Sequence, residues 1–291
     1  MELKTSAGAL NITIGNHLPT EYKKLFESAF ALKKQVNIRG TTWGLLCAQS
    51  KVKDIKADVP AISGDIFKFT QIREDADWLN LNTNDFATDA DLAEINLPEN
   101  LKPNSTRFTY FFFPESHTLI YEAYYKGNEL TPNTAVDFFK KLLNSAELQE
   151  DFGEVNVVHF PEKEALQQAL QLKHKRTIHM IINNPNAFGE IEKRYLKKAE
   201  ERQIAKVETK ITAKTGESIQ VDQELRNEAK IAANNGSLVV KGYDGKGTPR
   251  VISTKDMPFI KHDYFDIKNS LPYDAFKRLA ISIEEIIKKL L

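Results

Sequence analysis

Only one cysteine, Cys47, occurs in 291 residues, so no intrachain disulfide can form. Its setting, Trp43-Gly44-Leu45-Leu46-Cys47-Ala48, predicts a packed strand residue and not a catalytic thiol. No apolar run approaches the roughly 20 residues of a spanning helix. Met1-Glu2-Leu3-Lys4 leads into neither an apolar signal core nor a small-residue cleavage site. The expectation is a cytoplasmic protein with no membrane insertion. An excess of either charge is also missing: 40 Lys and Arg balance 40 Asp and Glu, which argues against a protein that wraps polyanions with its whole surface.

The familiar chemical signatures are absent as well. There is no Walker-type phosphate loop, no dinucleotide glycine fingerprint and no Gly-x-Ser-x-Gly elbow. None of the six histidines (His17, His117, His159, His174, His179, His262) lies four residues from another, so no metal site and no cofactor is expected. Glu190-Ile191-Glu192-Lys193 offers the Glu-x-Lys pair of metal-dependent nucleases, but at a helix start and without a preceding Pro-Asp. A solvated helix face is the favoured reading of that segment. A nuclease or nucleotide-processing effector, with a site assembled from dispersed residues, stays as an alternative.

What is present suits a folded chain: 41% hydrophobic and 27% charged residues, enough for apolar burial to hold the structure without metals. The length predicts two lobes, residues 1–150 and 151–291, both α+β. The first is read as a mostly antiparallel sheet with helices. It has strands near Leu10–Ile14, Val36–Arg39, Thr42–Ala48, Asp65–Ile72 and Trp78–Leu81, and a helix capped by Thr20. Residues 83–106 read as a surface excursion with a short acidic helix at Asp89–Glu94. Pro114-Glu115-Ser116 then separates two aromatic strands, a strong hairpin signal. One helix is predicted over Thr131–Leu148, and Asp151-Phe152-Gly153 marks the boundary. The second lobe reads as alternating strands and helices ending in a long helix, Tyr273–Leu290, whose stripe Leu279, Ile283, Ile286, Ile287 and Leu290 could meet a second subunit.

The charge is uneven. From Asp151 onward 24 cations face 20 carboxylates, and Lys173–Lys214 alone holds 11 Lys and Arg against 5 Asp and Glu. A helix over Gly189–Gln203 would place Lys193, Lys197, Arg194 and Lys198 at about 0°, 40°, 100° and 140° around its axis. Ile191, Tyr195, Leu196 and Ala199 cover the opposite arc. Such a cationic row can follow phosphates, because each contact releases condensed counterions. Lys173, Lys175, Arg176, Lys206 and Lys210 could extend it. Lys241, Lys246 and Arg250 surround a glycine-bearing loop whose amides could also meet a phosphate. Glu190, Glu200 and Glu201 share the helix, and mixed surface charge is ordinarily a matter of solubility.

Several segments carry a resemblance: Val36-Asn37-Ile38-Arg39-Gly40, Ser63-Gly64-Asp65-Ile66-Phe67-Lys68-Phe69, Pro98-Glu99-Asn100-Leu101-Lys102-Pro103-Asn104, Phe111-Phe112-Phe113-Pro114-Glu115-Ser116-His117-Thr118-Leu119, Asn183-Asn184-Pro185-Asn186 and Lys214-Thr215-Gly216-Glu217-Ser218-Ile219. They resemble a bacterial family known only as a domain of unknown function, which brings no catalytic residues to carry over. More distantly, the layout is similar to the phage-exclusion RexA and Kiwa KwaB proteins. That similarity implies a non-catalytic homodimer that binds double-stranded DNA through backbone contacts. It would act as a sensor or effector of antiphage defence of the abortive-infection type. A protein-only module, docking on a partner from a defence operon through the terminal helix or the aromatic hairpin, is the remaining alternative.

Overall fold

The computed structural model describes residues 2–15, 17–52, 55, 57–73, 76–183 and 190–290. The chain opens with β1 (Glu2–Thr13), α1 (Pro19–Ala31), β2 (Val36–Arg39), β3 (Thr42–Lys51) and β4 (Ile62–Thr70). A small hairpin follows, β5 (Leu79–Asn80) with β6 (Asp85–Phe86), then α2 (Asp89–Ala93) and the aromatic strands β7 (Thr106–Phe113) and β8 (Thr118–Tyr125). Next come β9 (Asn128–Glu129), α3 (Pro132–Leu143), α4 (Ala146–Phe152), β10 (Asn156–His159), α5 (Lys163–Leu170) and β11 (His174–Asn183). The remainder is α6 (Glu190–Glu201), β12 (Lys206–Thr212), α7 (Gln223–Asn235), β13 (Gly236–Tyr243), β14 (Pro249–Ser253), β15 (Ile260–Asp266) and α8 (Pro272–Leu290).

The protein is α+β, with the strands in two main antiparallel sheets. The larger runs β10-β1-β8-β7-β4-β3-β2, with β15 also on β1 and β9 on β8. Alternation along β7 shows why both its faces are aromatic. Phe108, Tyr110 and Phe112 join a core with Tyr22 and Phe26 of α1 and Phe138 and Phe139 of α3. Phe111 and Phe113 join a second core with Phe276, Leu279, Ala280, Ile283 and Ile287 of α8. The sheet is thus covered on both sides. Three elements beyond residue 150, namely β10, β15 and α8, complete this layer, because β1 is long enough to pair with β15 over Glu2–Gly8 and with β10 over Leu10–Thr13 along one edge.

The second sheet has the order β12-β11-β13-β14, all antiparallel. Ile178, Met180 and Ile182 of β11 and Leu238 and Val240 of β13 face α7 in a third core. The two sheets are stitched by amides: Asn11 Nδ2 donates to Asn234 O (2.8 Å) and Asn235 Oδ1 (3.0 Å), and Asn183 Nδ2 to Asn156 Oδ1 (3.3 Å).

Several local expectations are corrected. The first strand spans Glu2–Thr13, well beyond Leu10–Ile14, because Ala7, Gly8 and Ala9 are small where the sheet packs closely. A Cβ on Gly8 would lie 2.3 Å from the Tyr121 hydroxyl. The first helix starts at Pro19 behind Leu18 with no side-chain cap; proline's fixed φ and missing N–H suit that first position, so Thr20 lies inside the helix. The helix expected over Thr131–Leu148 is broken in two. Asn144 ends α3 by bonding Val155 at both main-chain groups, Nδ2 to O at 2.8 Å and N to Oδ1 at 2.9 Å. The stretch Ile260–Asp266, not read as a strand, is β15. Gly189 and the Asn184-Pro185-Asn186 segment lie outside the described residues.

Candidate nucleic-acid interface

α6 is positioned by its apolar side. Leu196 and Ala199 are buried, and Ile191 and Tyr195 pack against the third core. That anchoring turns Lys193, Arg194, Lys197 and Lys198 outward, and all four are exposed. Their acidic neighbours hold them loosely. Lys193 Nζ lies 3.3 Å from Glu190, Lys197 Nζ 4.0 Å from Glu201, and Arg194 Nε donates to the Glu190 carbonyl at 3.2 Å. Exposed pairs of this kind contribute at most about 1 kcal/mol, so an incoming phosphate displaces them at small cost. The Glu190–Lys193 contact is such a surface pair, and Glu192 is buried beside the helix's apolar residues. Among the described residues, no three His, Cys, Asp or Glu side chains group so as to hold a metal ion.

The other expected cations separate into three sets. Lys175 Nζ donates to Leu172 O (2.9 Å), and its burial lowers the affinity of that amine for its proton. Arg176 Nη1 donates to Lys214 O (3.1 Å) and Glu217 O (2.7 Å), bracing the loop before α7. Both are engaged by the chain's own carbonyls. Lys206, Lys210 and Lys241 form the second set. The register pairs His179 with Lys210 and Thr177 with Lys241, so all three lysines project from the sheet face opposite the helices. The α6 row and this face therefore lie on opposite sides of the lobe and are not one patch. Lys206 is also paired with Glu208 (3.3 Å), whose Oε1 accepts from His179 Nε2 at 2.7 Å.

The third set belongs to the loop between β13 and β14, with Lys173, exposed, at the start of β11 nearby. The amides of Lys246 and Thr248 donate to Asp244 Oδ1 (2.9 and 3.0 Å), and Arg250 Nε donates to Asp244 Oδ2 (3.1 Å). The anion cradle expected there is filled by the chain's own carboxylate, which those bonds hold below the usual aspartate range. Lys246 itself stays exposed at the turn.

A polar cleft between the two sheets had no signal in the sequence. It encloses about 660 Å³ and runs along Lys140, Asn156, Asn183 and Lys255. A smaller recess adjoins it, lined also by Asn133, Asp137 and His159. Burial, with Lys255 adding to it and Asp137 opposing, holds the His159 imidazole down at about 4, so the ring is neutral at physiological pH. Nothing local marks these residues, because four separate elements bring them together.

Most of each surface suggested for a protein partner is used inside the chain, with Ile286 of the α8 stripe half-buried. The α8 stripe of Leu279, Ile283 and Ile287 is buried within the chain, as are Phe111, Phe112 and Phe113 of the aromatic hairpin. Cys47 is half-buried in β3, and burial together with the charge of Asp65 pushes its thiol up to about 11, leaving it protonated and a poor nucleophile. No described helix is long and apolar enough to cross a membrane.

A search of curated proteins finds no match to this chain. The chain belongs to the family described as a domain of unknown function, DUF4747, whose model matches residues 3–281.

Proposed function

For a member of an uncharacterised family with this architecture, we propose that the protein binds double-stranded DNA through its phosphate backbone, without covalent chemistry. The α6 row carries the reading: four exposed cations on one side of a helix whose other side is fixed in a core. A rigid platform of this kind presents charge with little ordering cost on binding. With no excess charge overall, attraction to a polyanion has to come from local fields such as this row. A homodimeric sensor or effector in antiphage defence is the cellular setting we attach to this reading, on the similarity to RexA and KwaB.

The test is fluorescence anisotropy of a duplex across a salt series, comparing wild type with Lys193→Glu/Arg194→Glu/Lys197→Glu/Lys198→Glu. All four sites are exposed, so folding should survive, and circular dichroism checks that it does. Wild type should bind with affinity falling steeply with salt, at about 0.9 in the logarithmic slope per phosphate neutralised, and the variant should lose binding. Absence of wild-type binding at low salt removes the proposal. Binding that the variant retains moves the contact off α6.

A further inference from the structure

The β5–β6 hairpin forms a two-stranded sheet of its own, joined to neither larger sheet. A lone two-stranded hairpin is marginal in water without something to pack on. Its register places Leu79 directly opposite Phe86, so both project from one face. Their exposures are 65% and 71%, and Leu81 beyond them reaches 77%. Apolar side chains clustered this openly on a folded protein mark a contact surface. The same arm is acidic: between Ala76 and Glu99 the chain has six Asp and Glu and no Lys, Arg or His. Five of the six, Asp77, Asp85, Asp89, Glu94 and Glu99, are exposed.

A surface that covers this arm should be flat, partly apolar and basic. The open face of the second sheet fits on each count. Its register aligns Thr212, Thr177, Lys241 and Val251 in one row across four strands, with Lys210, His179, Val239 and Ser253 in the next. Val251 is 65% exposed, and Tyr243, on the same face, is 42% exposed. Lys210 and Lys241 on this face, Lys206 at its end and Lys246 at the adjoining turn supply four cations, against two carboxylates (Glu208, Asp244). Charge also decides between this face and the other exposed apolar group, at Tyr264, Ile267, Leu271 and Tyr273. That group sits among Asp263, Asp266 and Asp274 with Lys268, Lys277 and Arg278 beside them, a balance that gives the acidic arm little net attraction.

We propose that the acidic, apolar β5–β6 arm of one copy of this chain docks on the open basic face of the second sheet of another copy. Each copy offers one arm and one face, so a two-fold pair makes the contact twice and closes. This interface uses the sheet face opposite α6 and does not depend on the DNA reading.

Sedimentation equilibrium of the full chain over a concentration and salt series reads the assembly. Two variants divide the interface: Leu79→Ser/Phe86→Ser on the arm and Lys210→Glu/Lys241→Glu on the face. All four positions are solvent-facing or half-exposed, and thermal melts confirm folding. Wild type should dimerise, more weakly at high salt, and each variant should weaken dimerisation by at least about tenfold. Adding Asp85→Lys/Asp89→Lys to the face variant should recover part of the loss by restoring opposite charges across the contact. A wild type that stays monomeric at all concentrations overturns the proposal. So does a dimer that both variants leave unchanged, because it would use another surface.

Discussion

Glu122 sits in β8 on the side of the large sheet covered by α8, and it is only 6% exposed. Burial pushes its carboxyl up from 4.5 to about 7. The Thr109 amide, 3.3 Å from Oε2, opposes the change, the charge of Asp65 reinforces it, and Arg107 pulls the other way. The folded protein therefore holds this proton more tightly than the unfolded chain does. Below pH 4.5 both states are protonated and stability is unaffected. As the pH rises from 4.5 through about 7, the folded state must ionise a buried group and stability is lost. At about 1.36 kcal/mol per pH unit the full loss is roughly 3 kcal/mol, of which about 2.5 falls between pH 5 and 8. Glu122→Gln keeps the shape and an acceptor for the Thr109 amide but cannot ionise. Urea unfolding of both proteins at pH 5 and 8 isolates the effect, since every other titrating group is common to the pair. The variant should gain about 2.5 kcal/mol on wild type between the two pH values. The same free-energy difference at both would show that Glu122 is hydrated or compensated in the folded state, and the reasoning from burial would fail.

His159 should act in the opposite direction. Its folded value near 4 lies below the usual 6.5, so its contribution is fully present above pH 6.5 and is lost as pH falls through about 4. His159→Gln should flatten that acid limb in pH-dependent melts, and an NMR titration of the ring with a midpoint near 6.5 would contradict the assignment. Gly8→Ala places a methyl 2.3 Å from the buried Tyr121 hydroxyl and should cost about 1–3 kcal/mol in denaturant unfolding. Tyr121 Cζ and Cε1 crowd the same methyl at 2.4 and 2.7 Å, so pairing Gly8→Ala with Tyr121→Leu, which removes all three atoms, should recover part of the loss, and an unchanged cost would place the strain elsewhere.

Much of the architecture was written locally. Alternating aromatic residues fixed β7 and β8, the Asp222 side chain caps α7 by accepting from the Leu225 amide (2.8 Å), and two adjacent pairs of cations four residues apart lie on one side of α6 because a helix has 3.6 residues per turn. Those features depend on neighbours within a few positions, which a single sequence displays. Tertiary structure decided the rest. Whether residues 151–291 stand apart was not a local question: β10, β15 and α8 return to the first sheet because β1 offers them a long unpaired edge and one face of β7 needs cover. The basic residues divided for the same reason. Arg176 found carbonyls contributed by a loop brought alongside in the fold, and sheet alternation sent Lys206, Lys210 and Lys241 to the side opposite α6, whereas Lys175 bonds Leu172 three residues back and Asp244 fills its own loop, both local contacts. Composition sets how many cations a segment has, but only the packing of its elements determines which of them share a surface.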